Sequence, residues 1–173
     1  MDISNGEGIG ISLFVQGCHF KCKNCFNKST WDFNGGEEWT DYKENTFINL
    51  ANKNYISRIS ILGGEPLADE NVLDVLKLIQ KIRNMYGNSK KIWIYTGYSI
   101  EDIINFNINQ QYHNIYNFAR NSILTNIDIL VDGKYIEELK DINYKFAGST
   151  NQRVIDVQKT IKNKKIILLK EKY

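Results

Sequence analysis

Short apolar runs rich in β-branched and aromatic residues recur at Ile11–Val15, Ile56–Leu62, Ile92–Tyr95, Ile127–Val131 and Ile166–Leu169. This repetition restricts the fold more than any other feature, because each run has the length of a buried strand and none has the length of a helix. Between the second and third runs, Val72, Val75, Leu76, Ile79, Ile82 and Met85 recur every three or four residues, with Asp69 and Glu70 before them and Gly87 after. That spacing predicts an amphipathic helix. Ser99-Ile100-Glu101-Asp102 opens another helix with an N-cap serine and acids in the first turn, and Thr40–Asn52 reads as a third. Asn109–Asn126 mixes polar and aromatic residues and reads as either helix or loop. Strands alternating with helices predict an α/β domain with a mainly parallel sheet, whose ligands bind at the carboxyl ends of the strands.

The 173 residues suit one domain. No apolar run approaches the roughly 20 residues that cross a membrane. The N-terminal residues lack a basic start followed by an apolar stretch, so a cytoplasmic location is expected. Basic residues number 22 against 20 acidic ones and are scattered, apart from the lysines at 162–165, which argues against nucleic acid as a partner.

All three cysteines lie between positions 18 and 25, so they cannot staple distant segments together. Gln16-Gly17-Cys18-His19-Phe20-Lys21-Cys22-Lys23-Asn24-Cys25 follows directly on the first apolar run. Three thiolates this close can hold three corners of an iron–sulfur cubane, whereas an electron-transfer cluster normally takes four cysteines, so one iron stays open for a ligand. The alternative is a structural zinc with His19 as fourth ligand, which the adjacency of Cys18 and His19 fits poorly. A second motif, Ile61-Leu62-Gly63-Gly64-Glu65-Pro66, ends the next run. Gly63 and Gly64 let the backbone approach a ligand closely, and Glu65 offers a carboxylate to an ammonium group such as that of a bound amino acid. Taken alone the segment is an ordinary strand-to-helix turn; beside the cysteine loop it reads as part of a site.

Cys-x3-Cys-x2-Cys followed by Gly-Gly-Glu-Pro resembles the radical S-adenosylmethionine superfamily. Further segments resemble the activating proteins of anaerobic ribonucleoside-triphosphate reductases: Asp2 to Gly8, Cys25 to Trp31, Ile92 to Tyr98, Asp128 to Gly133 and Gly148 to Arg153. The resemblance implies a partial, open radical-SAM (β/α) barrel over residues 1–157, with 158–173 as a C-terminal extension. It implies that Cys18, Cys22 and Cys25 ligate a 4Fe-4S cluster whose open iron is chelated by S-adenosylmethionine, with Asn24, Phe26, Gly63, Gly64 and Glu65 around that cofactor. It further implies reductive cleavage to a 5'-deoxyadenosyl radical, which takes a hydrogen from a glycine of the reductase large subunit. A flavodoxin or thioredoxin system is the expected electron donor, and a homodimer is one option.

Thr96 and Asp132 fall near strand ends, where they shape the site, bind a cation or cap helices; capping is the plainer reading. Arg153 is expected to meet the partner or the ligand carboxylate. Trp31 and Phe26 pack over the cluster or fill core. Asn24 stands where close relatives often have Gly, and relatives commonly carry a short strand before Asp2. Three competing readings are a superfamily enzyme acting on a small molecule, an activase of another glycyl-radical enzyme such as pyruvate formate-lyase, and a non-catalytic metal-binding module.

Overall fold

In the computed structural model, which describes residues 1–108 and 115–169, five strands lie side by side in chain order. These are β1 (Gly10–Val15), β2 (Arg58–Gly63), β3 (Lys91–Tyr95), β4 (Ile129–Asp132) and β5 (Arg153–Asp156). The first four are parallel and β5 runs antiparallel to β4. Helix α1 (Asp41–Ala51) joins β1 to β2, α2 (Asp69–Tyr86) joins β2 to β3, α3 (Ile100–Ile108) and α4 (Ile115–Asn126) lie between β3 and β4, and α5 (Val157–Asn163) follows β5. The result is an α/β fold with an open, mostly parallel sheet, as a partial β/α barrel requires.

Helical crossovers make neighbouring strands parallel. The β4–β5 connection carries only a 3-10 turn, Glu137–Leu139, and its strands are antiparallel. Ile59, Ile61, Ile92, Ile94 and Leu130 project from one sheet face onto Val72, Val75, Leu78, Ile79 and Ile82 of α2 and Ala119 and Ile123 of α4, all buried. The helix starts follow their cap residues. The Thr40 hydroxyl accepts the Lys43 N–H (3.4 Å) ahead of α1. Ser99 and Asp102 bond reciprocally ahead of α3, each side-chain oxygen accepting the other's backbone N–H (3.1 and 2.9 Å).

Two expectations are corrected, and one left open is resolved in part. The fifth strand is Arg153–Asp156, while Ile166–Leu169 lies outside it as a single antiparallel bridge, Ile155 to Leu168, with Leu168 half exposed. Met85 is exposed rather than part of the apolar stripe, where Leu78 is buried; in the last turn of α2 it is Tyr86 that packs on the core. Within Asn109–Asn126, residues 115–126 are helical and 109–114 lie outside the described residues.

The opposite sheet face carries a buried polar knot. Arg58 on β2 is fully buried, and its Nη1 and Nη2 donate to the Asp2 carboxylate (3.1 Å each), the Asn5 carbonyl (2.5 Å), the Asp2 carbonyl (3.0 Å) and the Ser60 hydroxyl. Segment 2–10 is thereby tied across the sheet. Gly6, at φ +129°, lies so close that a Cβ would sit 2.5 Å from Arg58 Cδ and 2.8 Å from Trp93.

Candidate functional site

A cavity of about 170 Å³ opens at the carboxyl ends of β1 to β4. Cys18, Cys22 and Cys25 line it from the loop after β1, and Leu62, Gly63, Gly64 and Glu65 from the end of β2. Tyr95, Thr96 and Gly97 reach it from β3, Gly133, Lys134 and Tyr135 from β4, and Gly148 and Gln152 from the connection to β5. The two sequence motifs, some 40 residues apart, therefore share one wall-to-wall space.

Backbone contact brings them together. Gly64 N–H donates to the Val15 carbonyl (2.8 Å) and Glu65 N–H to the Gly17 carbonyl (2.7 Å), while Gly17 N–H is held by the Thr30 carbonyl (2.8 Å). At Gly64 a Cβ would lie 2.3 Å from the Gly17 oxygen. The residue must be glycine because two backbones touch there, whatever else it binds. Asn24 turns the loop at φ +54°, a left-handed conformation that asparagine tolerates.

The cysteines are unpaired and half-buried. Burial pushes the Cys18 and Cys22 thiols up, at Cys22 reinforced by neighbouring Cys25 and opposed by Lys134. His19 bonds Glu70 (2.8 Å), packs on Phe33, is 65% exposed and does not line the cysteine cavity. Three unpaired thiols lining one cavity are the donor set a multi-iron cluster takes.

Glu65 is buried, and its carboxylate is occupied from within. Oε1 accepts the Thr96 hydroxyl (2.7 Å) and Leu67 N–H (2.9 Å), and Oε2 accepts Gly97 N–H (2.8 Å). One lone pair on Oε2 stays open to a ligand cation. Burial pushes this carboxyl up to about 7, against those three donors and the nearby Arg120 guanidinium. A raised carboxyl contributes stability that is complete below its ordinary value of 4.5 and is lost as the pH rises through about 7. Thr96→Val removes a donor that favours the ionised form. Its cost is expected to be about 2 kcal/mol at pH 8.5 and clearly less at pH 5.5, measured by chemical denaturation at both pH values.

Comparison with known proteins identifies the family. The family model of a 4Fe-4S single cluster domain matches residues 4–155. The chain is 40% identical over 156 residues to the anaerobic ribonucleoside-triphosphate reductase-activating protein of Escherichia coli (strain K12), spanning 89% of this chain and 92% of that one. The chain belongs to this activating-protein family. The activating proteins of Vibrio cholerae and of Enterobacteria phage T4 are 34% and 31% identical, over 88% of this chain and 90% and 87% of theirs. No solved structure matches the chain.

In this member of the activating-protein family, other expected residues separate into two groups. Phe26 lines the cavity, is 68% exposed and packs edge-on to Tyr135 (5.6 Å), so it fills no core. Thr96 lines the cavity through its bond to Glu65. Asp132 and Arg153 lie outside the cavity lining and pair with each other. Arg153 Nε donates to Asp132 Oδ1 (2.9 Å) and Nη2 to Oδ2 (2.5 Å), while Arg153 also forks onto Glu101 (2.9 and 2.6 Å). Asp132 accepts Ile100 N–H (2.8 Å) at the start of α3. In the Asn-Gln-Arg segment it is Gln152 that meets the cavity, holding Gly148 N–H (2.9 Å) and the Gly133 carbonyl (2.9 Å). Lys134 is the single cation among the described lining residues, its ammonium 4.7 Å over the Phe20 ring. The signal for Lys134 was its place just after Asp132-Gly133; side-chain direction decided the rest.

Proposed function

We propose that this chain generates a glycyl radical in anaerobic ribonucleoside-triphosphate reductase, as a radical S-adenosylmethionine enzyme with a 4Fe-4S cluster on Cys18, Cys22 and Cys25. The carrying observation is that these three thiols and Gly63-Gly64-Glu65 line one cavity at the carboxyl edge of the sheet. With cluster and S-adenosylmethionine bound, the chemistry supplied is one-electron cleavage of the sulfonium to a 5'-deoxyadenosyl radical.

The protein's own work is placement and exclusion. Gly17, Gly63 and Gly64 fix the cysteine loop against β2 through backbone contacts, so the thiols are presented by rigid elements. Lys134 places a positive charge beside Cys22, which favours the thiolate that iron takes. Glu65 offers its remaining lone pair to the cofactor's ammonium group, and Asn24, Phe26 and Tyr135 border the opening. Leu62 and Tyr95 form an apolar wall that keeps water from a reactive carbon radical.

Residues 1–157 constitute the radical domain on this reading, with the remainder an extension. An external one-electron donor is required, and a flavodoxin or thioredoxin system meets that need. Oxygen-sensitive iron fits a cytoplasmic setting, and among the described residues no helix is long and apolar enough to cross a membrane.

The test is anaerobic reconstitution with iron and sulfide, reduction, and addition of S-adenosylmethionine and the reductase. The expected result is 5'-deoxyadenosine together with a doublet glycyl-radical signal by electron paramagnetic resonance on the reductase. A radical on pyruvate formate-lyase alone would reassign the partner. An intact cluster that yields no product with any partner would make the chain a binding module.

A further inference from the structure

We propose that Arg120, buried on α4, is the positioning residue that sets the Glu65 carboxylate to receive the ammonium group of S-adenosylmethionine. The identity of that ligand rests on the function proposed above; the place of Arg120 behind Glu65 is a property of the fold.

Arg120 is 4% exposed and stands outside the lining of the cysteine cavity. Its guanidinium reaches both turns that supply donors to Glu65 Oε1. In the turn after β2, Arg120 Nε donates to the Leu67 carbonyl (2.9 Å), and Leu67's own N–H bonds Oε1 (2.9 Å). Leu67 is fully buried, so its carbonyl needs a donor from within the protein, and Arg120 supplies it. In the turn after β3, the guanidinium lies over the Tyr98 ring, 5.4 Å from its centre. Tyr98 N–H donates to the Thr96 hydroxyl oxygen (3.1 Å), and that hydroxyl donates to Oε1 (2.7 Å). A carboxylate gripped at one oxygen from two sides cannot swing, so the lone pair left on Oε2 keeps one direction.

The remaining contacts of Arg120 set the charge. Nη2 pairs with Asp69 Oδ1 at the start of α2, and Nη1 donates to Asn117 Oδ1 (2.8 Å). Asp69 balances the guanidinium, so ionised Glu65 leaves one negative charge on the cavity wall, which a single ligand ammonium completes. As a tie between α2 and α4 a buried ion pair gains little, because apolar residues of similar volume often serve as well or better. What an apolar pair could not do is hold a cation behind Glu65, which favours the charged form that an ammonium requires. The Tyr98 ring also meets Phe20 of the cysteine loop edge-on (4.9 Å), so a purely structural role would show as a general loosening of the cavity.

The test separates these two roles with two ligands. Binding of S-adenosylmethionine, and of the analogue in which hydrogen replaces its amino group, is measured on the anaerobically reconstituted chain, left unreduced so that neither ligand is cleaved. Arg120→Gln is expected to weaken S-adenosylmethionine about tenfold or more, the size of one lost hydrogen bond to a charged group, and to change the analogue less than about twofold. Glu65→Gln should show the same split, and the double variant should lose little more than the larger single loss, because both act on one contact. An equal loss for both ligands overturns the proposal in favour of a structural role, and losses that multiply in the double variant overturn it too. Circular dichroism and iron content check the fold. If Arg120→Gln does not fold, Arg120→Lys decides: it keeps a charge for Asp69 but not the fork, so the same split is expected at about threefold, and binding as tight as the parent's overturns the proposal. A parent that binds neither ligand overturns the proposed function and this assignment with it. A parent that prefers S-adenosylmethionine, beside an Arg120→Gln variant that prefers it equally, overturns the assignment alone.

Discussion

Cys22→Ala is expected to leave a folded chain that retains less than one iron atom where the parent holds about four, and that forms no 5'-deoxyadenosine. The two halves of this outcome have separate causes. Cys22 is half-buried on a loop and belongs to neither buried apolar cluster, and its contact with Cys25 is through its backbone carbonyl (3.1 Å), which alanine keeps. Removing its sulfur therefore costs the metal-free chain about 0.5 kcal/mol at most, a shift of about 2 °C in melting temperature. On the proposed ligand set the cluster loses one of three thiolates, and the remaining pair is expected not to hold it against chelation. Iron analysis, product assay and a thermal melt of the metal-free chain check the prediction together. A variant that keeps its iron would move the ligand set elsewhere.

Arg58→Met is expected to have the larger effect on the fold. The substitution keeps most of the side-chain volume but strips the donors from the Asp2 carboxylate, the Asn5 carbonyl and the Ser60 hydroxyl, leaving them in or near a buried face. Breaking a buried ion pair from one side costs about 3–5 kcal/mol, or a fall of about 10 °C for a chain of this size. The loss is pH-dependent in a defined direction. Burial raises the Asp2 carboxyl, but bonds from Ser12, Ser4 and Arg58 outweigh it and hold the group at about 2, below its ordinary 3.8. Its contribution is therefore present above about pH 4 and lost as the pH falls towards 2. The gap between parent and variant should narrow across that window, and urea titrations at pH 6 and pH 3 measure it.

Much of the frame was legible because local chemistry and global fold agree. The α2 stripe, the Thr40 and Ser99 caps and the placing of both motifs at strand ends all follow from signals a few residues long. Where the reading failed, the deciding partner was remote. Arg153-Val154-Ile155-Asp156 looks too short and too charged for a strand, and only β4 beside it makes it one. The apolar Ile166–Leu169 looked more like a strand and is a short edge bridge on β5, with Leu168 half exposed and Ile166 and Leu169 packed on the core. Arg58 gave no sign of being buried, since its carboxylate partner is 56 positions earlier. At the site, Arg153 was the expected contact and its neighbour Gln152 is the one that lines the cavity, because Arg153 is drawn onto Asp132 and Glu101 instead.

The sheet's order has a consequence for how the protein is made. Because β1 to β5 lie in the order in which they are synthesised, each strand leaving the ribosome finds its neighbour already waiting and none has to be threaded between two others. Assembly is thus vectorial, growing from one margin. The cavity wall, however, closes only with Gln152, long after the three cysteines have emerged. A nascent chain therefore holds its thiols on an unfinished wall until the last strand has joined β4.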